Sequence, residues 1–359
     1  MGDAAPGPWT LDRDALLAWY RSSGRPLPWR DDVDPYRTLV SELMLQQTRV
    51  ETVIPYFERF LARFPTVEAL AAAPTEVVLE HWAGLGYYSR ARNLQAAAGQ
   101  VVAAGGFPTT VEGLRALPGV GPYTAGAIAS IALGIDTPLV DGNVERVLCR
   151  QLAWAEDPKR ICRRLWEVAA ALVPAGHAGD FNQALMELGA TVCLPRRPRC
   201  LLCPVRASCR GAGDPERYPA PKVKTPSPER RAVAVLIRQA GRVLRARRPD
   251  AGLLGGLWEP PAGEGEDPVA MARDRLGLDV RDPLPLGEVT HVFTHLKLVT
   301  TVWSGSAASA FDDEMVTVPP SSTAVSRVFP AYVDARWVRM DEVGAMALST
   351  LARKWMAVG

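Results

Sequence analysis

Residues 117–133 read LPGVGPYTAGAIASIAL, and this stretch decides what the first half of the chain builds. The preceding VEGLRAL has helical character, Gly119 and Gly121 bracket a valine, and a helix of small residues begins at once after Pro122. Glycines permit a turn too tight for residues that carry a Cβ. Such a turn bares backbone N–H groups at the start of the next helix, where an anion is favoured by hydrogen bonding and by the helix dipole. The same turn also serves as a plain connection between packed helices, so its surroundings must choose between the two.

The helical signal extends over residues 11–190. Val50, Val53, Ile54, Phe57, Phe60 and Phe64 recur at three- and four-residue steps, and the alanine-rich VEALAAA and ARNLQAAAGQVVAA follow. Pro55 predicts a kink or a restart in the first of these helices. Residues 213–230, GDPERYPAPKVKTPSPER, are too rich in proline for a regular core element and read as a linker. Beyond them, RAVAVLIRQAGRVLRARR and GEVTHVFTHLKLVTTVW carry β-branched residues and short turns, which predicts strands in a domain of mixed α and β structure. The expected organisation is a helical domain over 1–212, a linker over 213–230 and a second domain over 231–359.

A chain of 359 residues that is 48% hydrophobic can bury a sizeable core, and its length suits two domains better than one. It lacks a run of about eighteen apolar residues, and its start, MGDAAPGPWTLDRD, has no basic segment feeding an apolar one. The expectation is a cytoplasmic, unanchored protein with no membrane partner. The net charge of +2 is too small to name a partner, but residues 190–231 hold ten Lys and Arg against three Asp and Glu, a surplus that can hold phosphates.

That basic region contains CLPRRPRCLLCPVRASC, residues 193–209, with four of the six cysteines. Disulfides are disfavoured in a reducing compartment and in a chain too large to need them, so a metal is the better reading. Zinc and a four-iron, four-sulfur cluster both take four thiolates; only Cys200 and Cys203 form a CxxC pair, where a zinc site more often shows two. Ligand chemistry leaves the two open. Cys149 and Cys162 sit in helical sequence at no ligand spacing and read as buried free thiols.

Two carboxylates complete the pattern. In LVDGNVERVLCRQL, residues 139–152, Asp141 and Asn143 stand just before an amphipathic helix, where Asp commonly caps the N-terminus. In PYRTLVSELMLQQTRVETVIPYF, Glu42 lies inside a helix beside Leu39, Leu43 and Leu45. Taken singly, each has an ordinary structural explanation.

Together and in this order, the pieces resemble the endonuclease III superfamily of DNA glycosylases. SELMLQQTRV, GLGYYSRARNL, LPGVGPYTAGAI, VDGNV and MELGATVC resemble its MutY-type adenine DNA glycosylases in particular. The resemblance implies a mainly α helix-hairpin-helix glycosylase domain, with Gly119 and Gly121 gripping a DNA phosphate. It also implies a 4Fe-4S cluster on Cys193, Cys200, Cys203 and Cys209, folding an Arg196, Arg197, Arg199 loop that faces DNA. The implied reaction is removal of adenine mispaired with 8-oxoguanine, or with guanine, from double-stranded DNA by a monomer associated with the nucleoid.

The implied roles follow residue by residue. Glu42 is the acid that protonates the base, and Asp141 the ionised partner of an oxocarbenium-like sugar. Leucines around Glu42 disfavour its charge, while donors at a helix start favour that of Asp141. Asn143 orients the nucleophile or water, and Tyr123 hydrogen-bonds the catalytic carboxylate. The superfamily's strand-nicking members carry a lysine where Tyr123 stands, and a tyrosine cannot form a Schiff base, so a monofunctional enzyme is expected. Gln47 and Tyr87 enter the duplex beside the flipped adenine, and Arg30 and Glu187 line its pocket. A bifunctional pyrimidine-damage glycosylase and a non-catalytic iron-sulfur DNA-binding protein are the rival readings.

The second domain resembles an α+β Nudix (MutT)-like fold. Laid on the Nudix box from Gly256 to Gly277, the expected acids fall on Ala262, Met271, Asp274 and Arg275, so a single carboxylate survives of a set that must hold divalent metal. Recognition rather than pyrophosphatase activity is expected, with Phe293, Thr294 and His295 reading 8-oxoguanine.

Overall fold

The computed structural model describes residues 10–220, 227–250, 252–308, 316, 318 and 328–359. Residues 221–226 of the expected linker and the first nine residues lie outside the described part. In chain order the helices are α1 (Arg13–Ser23), α2 (Pro35–Leu45), α3 (Val50–Arg63), α4 (Val67–Ala72), α5 (Thr75–Trp82), α6 (Ser89–Ala103), α7 (Val111–Arg115) and α8 (Pro122–Ala127). They continue with α9 (Gly142–Leu152), α10 (Cys162–Leu172), α11 (Ala178–Thr191), α12 (Pro268–Leu276) and α13 (Thr350–Met356). The strands are β1 (Glu229–Gln239), β2 (Arg242–Arg247), β3 (Trp258–Glu259), β4 (Ala262–Glu264), β5 (Val280–Val292), β6 (Lys297–Ala307) and β7 (Asp334–Arg339).

The chain gathers into two compact units, Met1–Ala72 with Asn93–Lys224, and Ala73–Arg92 with Thr225–Gly359. In the first, caps set where helices start. Asp34 accepts from the N–H groups of Tyr36 and Arg37 at 2.7 and 3.0 Å, and Pro35 occupies the first position of α2, where a missing N–H costs nothing. From Tyr36 to Met44, α2 is buried at every position but Arg37, so any carboxylate it carries loses water. Of the kink or restart expected at Pro55, the restart does not occur: α3 runs through it, held by Val53, Phe57 and Phe60 on its buried face, because packing outweighs one lost backbone hydrogen bond.

The α7–α8 turn is built as its glycines imply. Gly119 has φ +76°, and a Cβ there would come 2.7 Å from Asn93 Cβ, so both conformation and contact demand glycine. A five-residue π-helical turn, Ile128–Ala132, continues α8. Asp141 caps α9, accepting from Asn143 N at 2.9 Å and Val144 N at 2.7 Å. Gly189 on α11 lets that helix close on the start of α9: a Cβ would meet Asn143 Cβ at 2.5 Å. Leu16, Val144, Val147, Leu148, Phe181, Leu185 and Leu188 fill the core between these helices.

The second unit is a mixed sheet in the order β3-β2-β1-β6-β5, with β4 on β1 and β7 on β2; β1 and β6 are parallel and the other pairs antiparallel. The apolar run of β1 splits by parity. Val233, Val235 and Ile237 pack into a cluster with Met271 and Leu276 of α12, and Ala232, Ala234 and Leu236 into another with Leu351 and Trp355 of α13. A strand covered on both faces needs no polar alternation, which is why its sequence is continuously apolar. Residues 73–92 are tied into this unit by Tyr88 Oη donating to Leu348 O at 3.4 Å and Arg92 Nη1 donating to Gly255 O at 2.6 Å.

Candidate active site and lesion-contact loops

In the first unit a hollow of about 540 Å³ is lined by Arg30, Glu42, Gln47, Tyr123, Asp141, Asn143 and Glu187, seven residues that sequence singled out from five separate segments. Glu42 projects from α2 and is 5% exposed. Burial pushes its carboxyl up to about 7; a hydrogen bond from Tyr123 and the charge of Arg30 pull it back, and Asp141 adds to the rise. Its Oε2 is buried without a hydrogen-bond partner.

At Asp141 two influences oppose each other. The helix-start donors do favour its charge, as expected, but burial is the larger influence and lifts the carboxyl above its ordinary value; Val144 N, the Asn143 side chain and backbone, and Arg146 limit the rise. Asn143 Nδ2 donates to Asp141 Oδ2 at 2.8 Å, and Asn143 Oδ1 accepts from Arg146 Nη2 at 2.9 Å. Arg146 also donates to Gly189 O at 2.7 Å and Cys193 O at 2.8 Å, so one guanidinium braces the carboxylate turn against α11 and the first cysteine of the basic loop.

Glu187, on α11, is held by two arginines. Arg25 donates through Nε to Oε1 at 2.6 Å and through Nη2 to Oε2 at 3.0 Å, and Arg30 Nη2 donates to Oε2 at 3.0 Å. Burial alone would raise this carboxyl, but the Arg25 hydrogen bond and the two positive charges hold it below the usual glutamate range. Sequence reasoning missed Arg25, which stands in the irregular SSGRPLPWR with no periodicity to mark it, and Met186, hidden beside Glu187 in a helical pattern.

The two residues expected to enter a duplex share a backbone property. Gln47 has φ +57° and Tyr87 φ +48°, both in the left-handed region that residues with a Cβ seldom adopt. Such strain tends to collect where function demands a fixed projection. Gln47 is exposed in the loop after α2, and Tyr87, 44% exposed, belongs to the second unit rather than to the hollow. There Tyr87 Oη lies 2.5 Å from Thr294 Oγ1. Thr294 and His295 are exposed at the tip of the β5–β6 connection, which closes with Phe293 N donating to Leu296 O at 2.8 Å. Phe293 anchors the tip, packed on the α13-side core and on the His291 ring at 4.5 Å between centroids.

The positions of the Nudix-box acids are occupied otherwise. Met271 is buried, Arg275 donates to Phe329 O at 3.1 Å and to Pro330 O, and its guanidinium covers the Tyr332 ring at 4.7 Å. Only Asp274 offers a carboxylate, and it faces solvent.

Cys193, Cys200, Cys203 and Cys209 line one small hollow rimmed by Val147, Leu188 and Val192. Arg150, 3% exposed, wraps the segment: it donates to Cys193 Sγ at 3.3 Å, Leu194 O at 2.6 Å, Pro195 O at 3.0 Å and Tyr218 O at 3.0 Å. Four soft donors in a largely apolar rim fit a thiolate-bound metal group. Among the described residues no three His, Cys, Asp or Glu side chains draw together tightly enough for a single ion. Arg196, Arg197 and Arg199 are exposed on the same loop. Of the two remaining thiols Cys149 is buried as expected, whereas Cys162 is exposed, because it opens α10 one turn before that helix reaches its packed face. Among the described residues no helix is long and apolar enough to cross a membrane.

Residues 40–171 match the HhH-GPD superfamily of base excision DNA repair proteins, and residues 232–358 match the NUDIX domain. Over 96% of its length the chain is 38% identical to the adenine DNA glycosylases of Homo sapiens, covering 73% of that protein, and of Mus musculus, covering 77%. A solved thermostable thymine-DNA glycosylase is 29% identical and superposes with a TM-score of 0.51, over 56% of this chain and 94% of that one.

Proposed function

The chain belongs to the adenine DNA glycosylases of the HhH-GPD superfamily, which hydrolyse an N-glycosidic bond in base excision repair, and from that premise we propose that it removes adenine opposite 8-oxoguanine, and opposite guanine, without nicking the strand. One observation carries the chemistry. Glu42, with its buried carboxyl pushed up to about 7, shares a hollow with Asp141, which keeps three hydrogen bonds and a nearby arginine.

Adenine is a poor leaving group until protonated. Glu42 supplies the proton to a ring nitrogen, for which its near-neutral carboxyl suits it. Asp141, ionised, stabilises the positive charge that grows on the sugar as the bond breaks. General acid catalysis gives about 10²–10⁴-fold, and a unit charge about 4 Å away at an effective dielectric near 20 gives roughly 4 kcal/mol, or about a thousandfold. Neither suffices alone. Asn143, hydrogen-bonded to Asp141, orients the attacking water on the same side. Glu187, fixed by Arg25 and Arg30, offers acceptors for the exocyclic amine of adenine.

Tyr123 provides no amine, which supports hydrolysis over Schiff-base chemistry. The flipped adenine leaves a gap that Gln47 and Tyr87 fill, the Gly119–Gly121 turn holds a phosphate, and the Phe293–Thr294–His295 tip reads the partner base. Cys193, Cys200, Cys203 and Cys209 would hold a 4Fe-4S cluster, whose contribution is to fold the arginine loop onto DNA. We assign catalysis to residues 1–212 and lesion reading to residues 231–359 of a monomer acting on nucleoid DNA.

Base release from duplexes with adenine opposite 8-oxoguanine, guanine and thymine, with borohydride added, tests the proposal. Fast release opposite 8-oxoguanine, slower opposite guanine, and no covalent trapping are expected. Trapped enzyme or preference for a damaged pyrimidine overturns it.

A further inference from the structure

Met186 lines the same hollow as Glu42, Tyr123 and Asp141, and the reaction outlined above gives it no task. Its thioether sulfur lies 3.2 Å from Tyr123 Oη, with the phenol donating. The same phenol faces Glu42 across the hollow, where hydrogen bonding from it pulls the carboxyl back down. A phenol has one proton, so it serves one of these acceptors at a time, and its oxygen keeps lone pairs that can accept.

The two protonation states of Glu42 want opposite things from Tyr123. An ionised carboxylate is the stronger acceptor and takes the phenol proton. A protonated carboxyl is itself a donor, and its best arrangement runs from Glu42 O–H to Tyr123 Oη and from Tyr123 O–H onward. That second arrangement needs an acceptor on the far side of Tyr123. Met186 Sδ is there, whereas an aliphatic side chain at the same position would leave the phenol proton no outlet but the carboxyl.

We propose that Met186 is a positioning residue that favours the proton-carrying form of Glu42, its sulfur accepting the Tyr123 proton and so freeing the phenol oxygen for the carboxyl. The inference rests on Glu42 being the acid. The charged and titratable groups facing Glu42 are Tyr123 from α8, Asp141 from the start of α9 and Arg30 from the segment before α2. Around the hollow, Glu187 on α11 is engaged by Arg25 and Arg30, and Arg146 lies behind Asp141. Replacing a methionine by leucine alters none of these charges, so a moved pH profile reports the Tyr123 proton.

The experiment is single-turnover adenine release across pH for the wild type, Met186→Leu, Met186→Gln, Tyr123→Phe and the Met186→Leu/Tyr123→Phe double variant. In Met186→Leu the pH above which release declines should fall by about half a unit to one unit, with the low-pH plateau within about threefold of wild type. Met186→Gln, with a carbonyl acceptor of similar reach, should keep the wild-type limb. In the Tyr123→Phe background Met186→Leu should move nothing further. A uniform loss of rate with an unmoved limb, or an equal displacement with and without Tyr123, overturns the proposal. Adenine release by Glu42→Gln at a near wild-type rate overturns the acid assignment instead, whatever Met186 does.

Discussion

Tyr87 Oη and Thr294 Oγ1, 207 positions apart in the chain, lie 2.5 Å from each other. Each was singled out from its own motif, one for entering the duplex and the other for reading the partner base. On the proposed function their meeting would join the two tasks: one hydroxyl donates to the other, and the pair retains a donor and several acceptor lone pairs that a base edge could use. Adenine is a normal base, so an adenine pocket cannot by itself separate damaged pairs from sound ones.

Thr294→Ala, alone or with His295→Ala, is therefore expected to narrow the preference for 8-oxoguanine over guanine by about tenfold, in line with roughly 1–3 kcal/mol for a good base-edge contact. Tyr87→Phe should act in the same direction, and the Tyr87→Phe/Thr294→Ala double variant should be little worse than either single one. Adenine release itself should persist. Unchanged mispair preference in steady competition assays would move the lesion reader elsewhere.

Glu42→Gln and Asp141→Asn should each reduce adenine release by at least about 10²-fold while mispair binding, measured by fluorescence anisotropy, stays close to wild type. Because acid and anion act in one transition state, the double variant should lose little more. Additive losses would separate the two groups into different steps.

Much of this site could be read from sequence because its residues sit in strongly patterned surroundings. Glu42 interrupts an apolar helix, Asp141 opens an amphipathic one, and the Gly119 turn admits no side chain. The N-cap explanation of Asp141 was correct as structure, and the same hydrogen bonds now restrain its carboxyl. Arg25 and Met186 were illegible for the opposite reason: one lies in an irregular segment and the other fits its helix like any apolar residue. Nor does periodicity reveal that residues 73–92 gather with 225–359, since contacts between distant segments leave no local signature. Pro55 does not restart α3 because propensity is local, whereas the buried face of that helix is not.

The buried acid has a cost in stability, and its sign is fixed. Burial raises Glu42 from 4.5 in the unfolded chain to about 7 in the native state, so between these values the native state binds more protons than the unfolded one. Native stability therefore falls as pH rises through this window, by roughly 3 kcal/mol once both states are ionised. Glu42→Gln removes the ionisation. The variant's thermal midpoint should exceed that of the wild type by a margin that is small near about pH 5 and larger near about pH 8. A margin independent of pH would mean that Glu42 is not desolvated in solution.

Arg150 holds the backbone of the basic loop. Its buried guanidinium serves the carbonyls of Leu194, Pro195 and Tyr218, and Arg150→Met would strand those acceptors at a cost of roughly 1–3 kcal/mol each. Cys200→Ser removes a thiolate from the proposed cluster but leaves Arg150 in place. Both variants are expected to lose visible absorbance and to bind duplex DNA more weakly, with a shallower dependence on salt as the contacts of Arg196, Arg197 and Arg199 are lost. Arg150→Met should do so even when iron and sulfide are supplied in excess, because the loop itself no longer closes. Purified wild-type protein with stoichiometric zinc and no iron would refute the cluster, and a salt slope unchanged in both variants would place the DNA-binding arginines elsewhere.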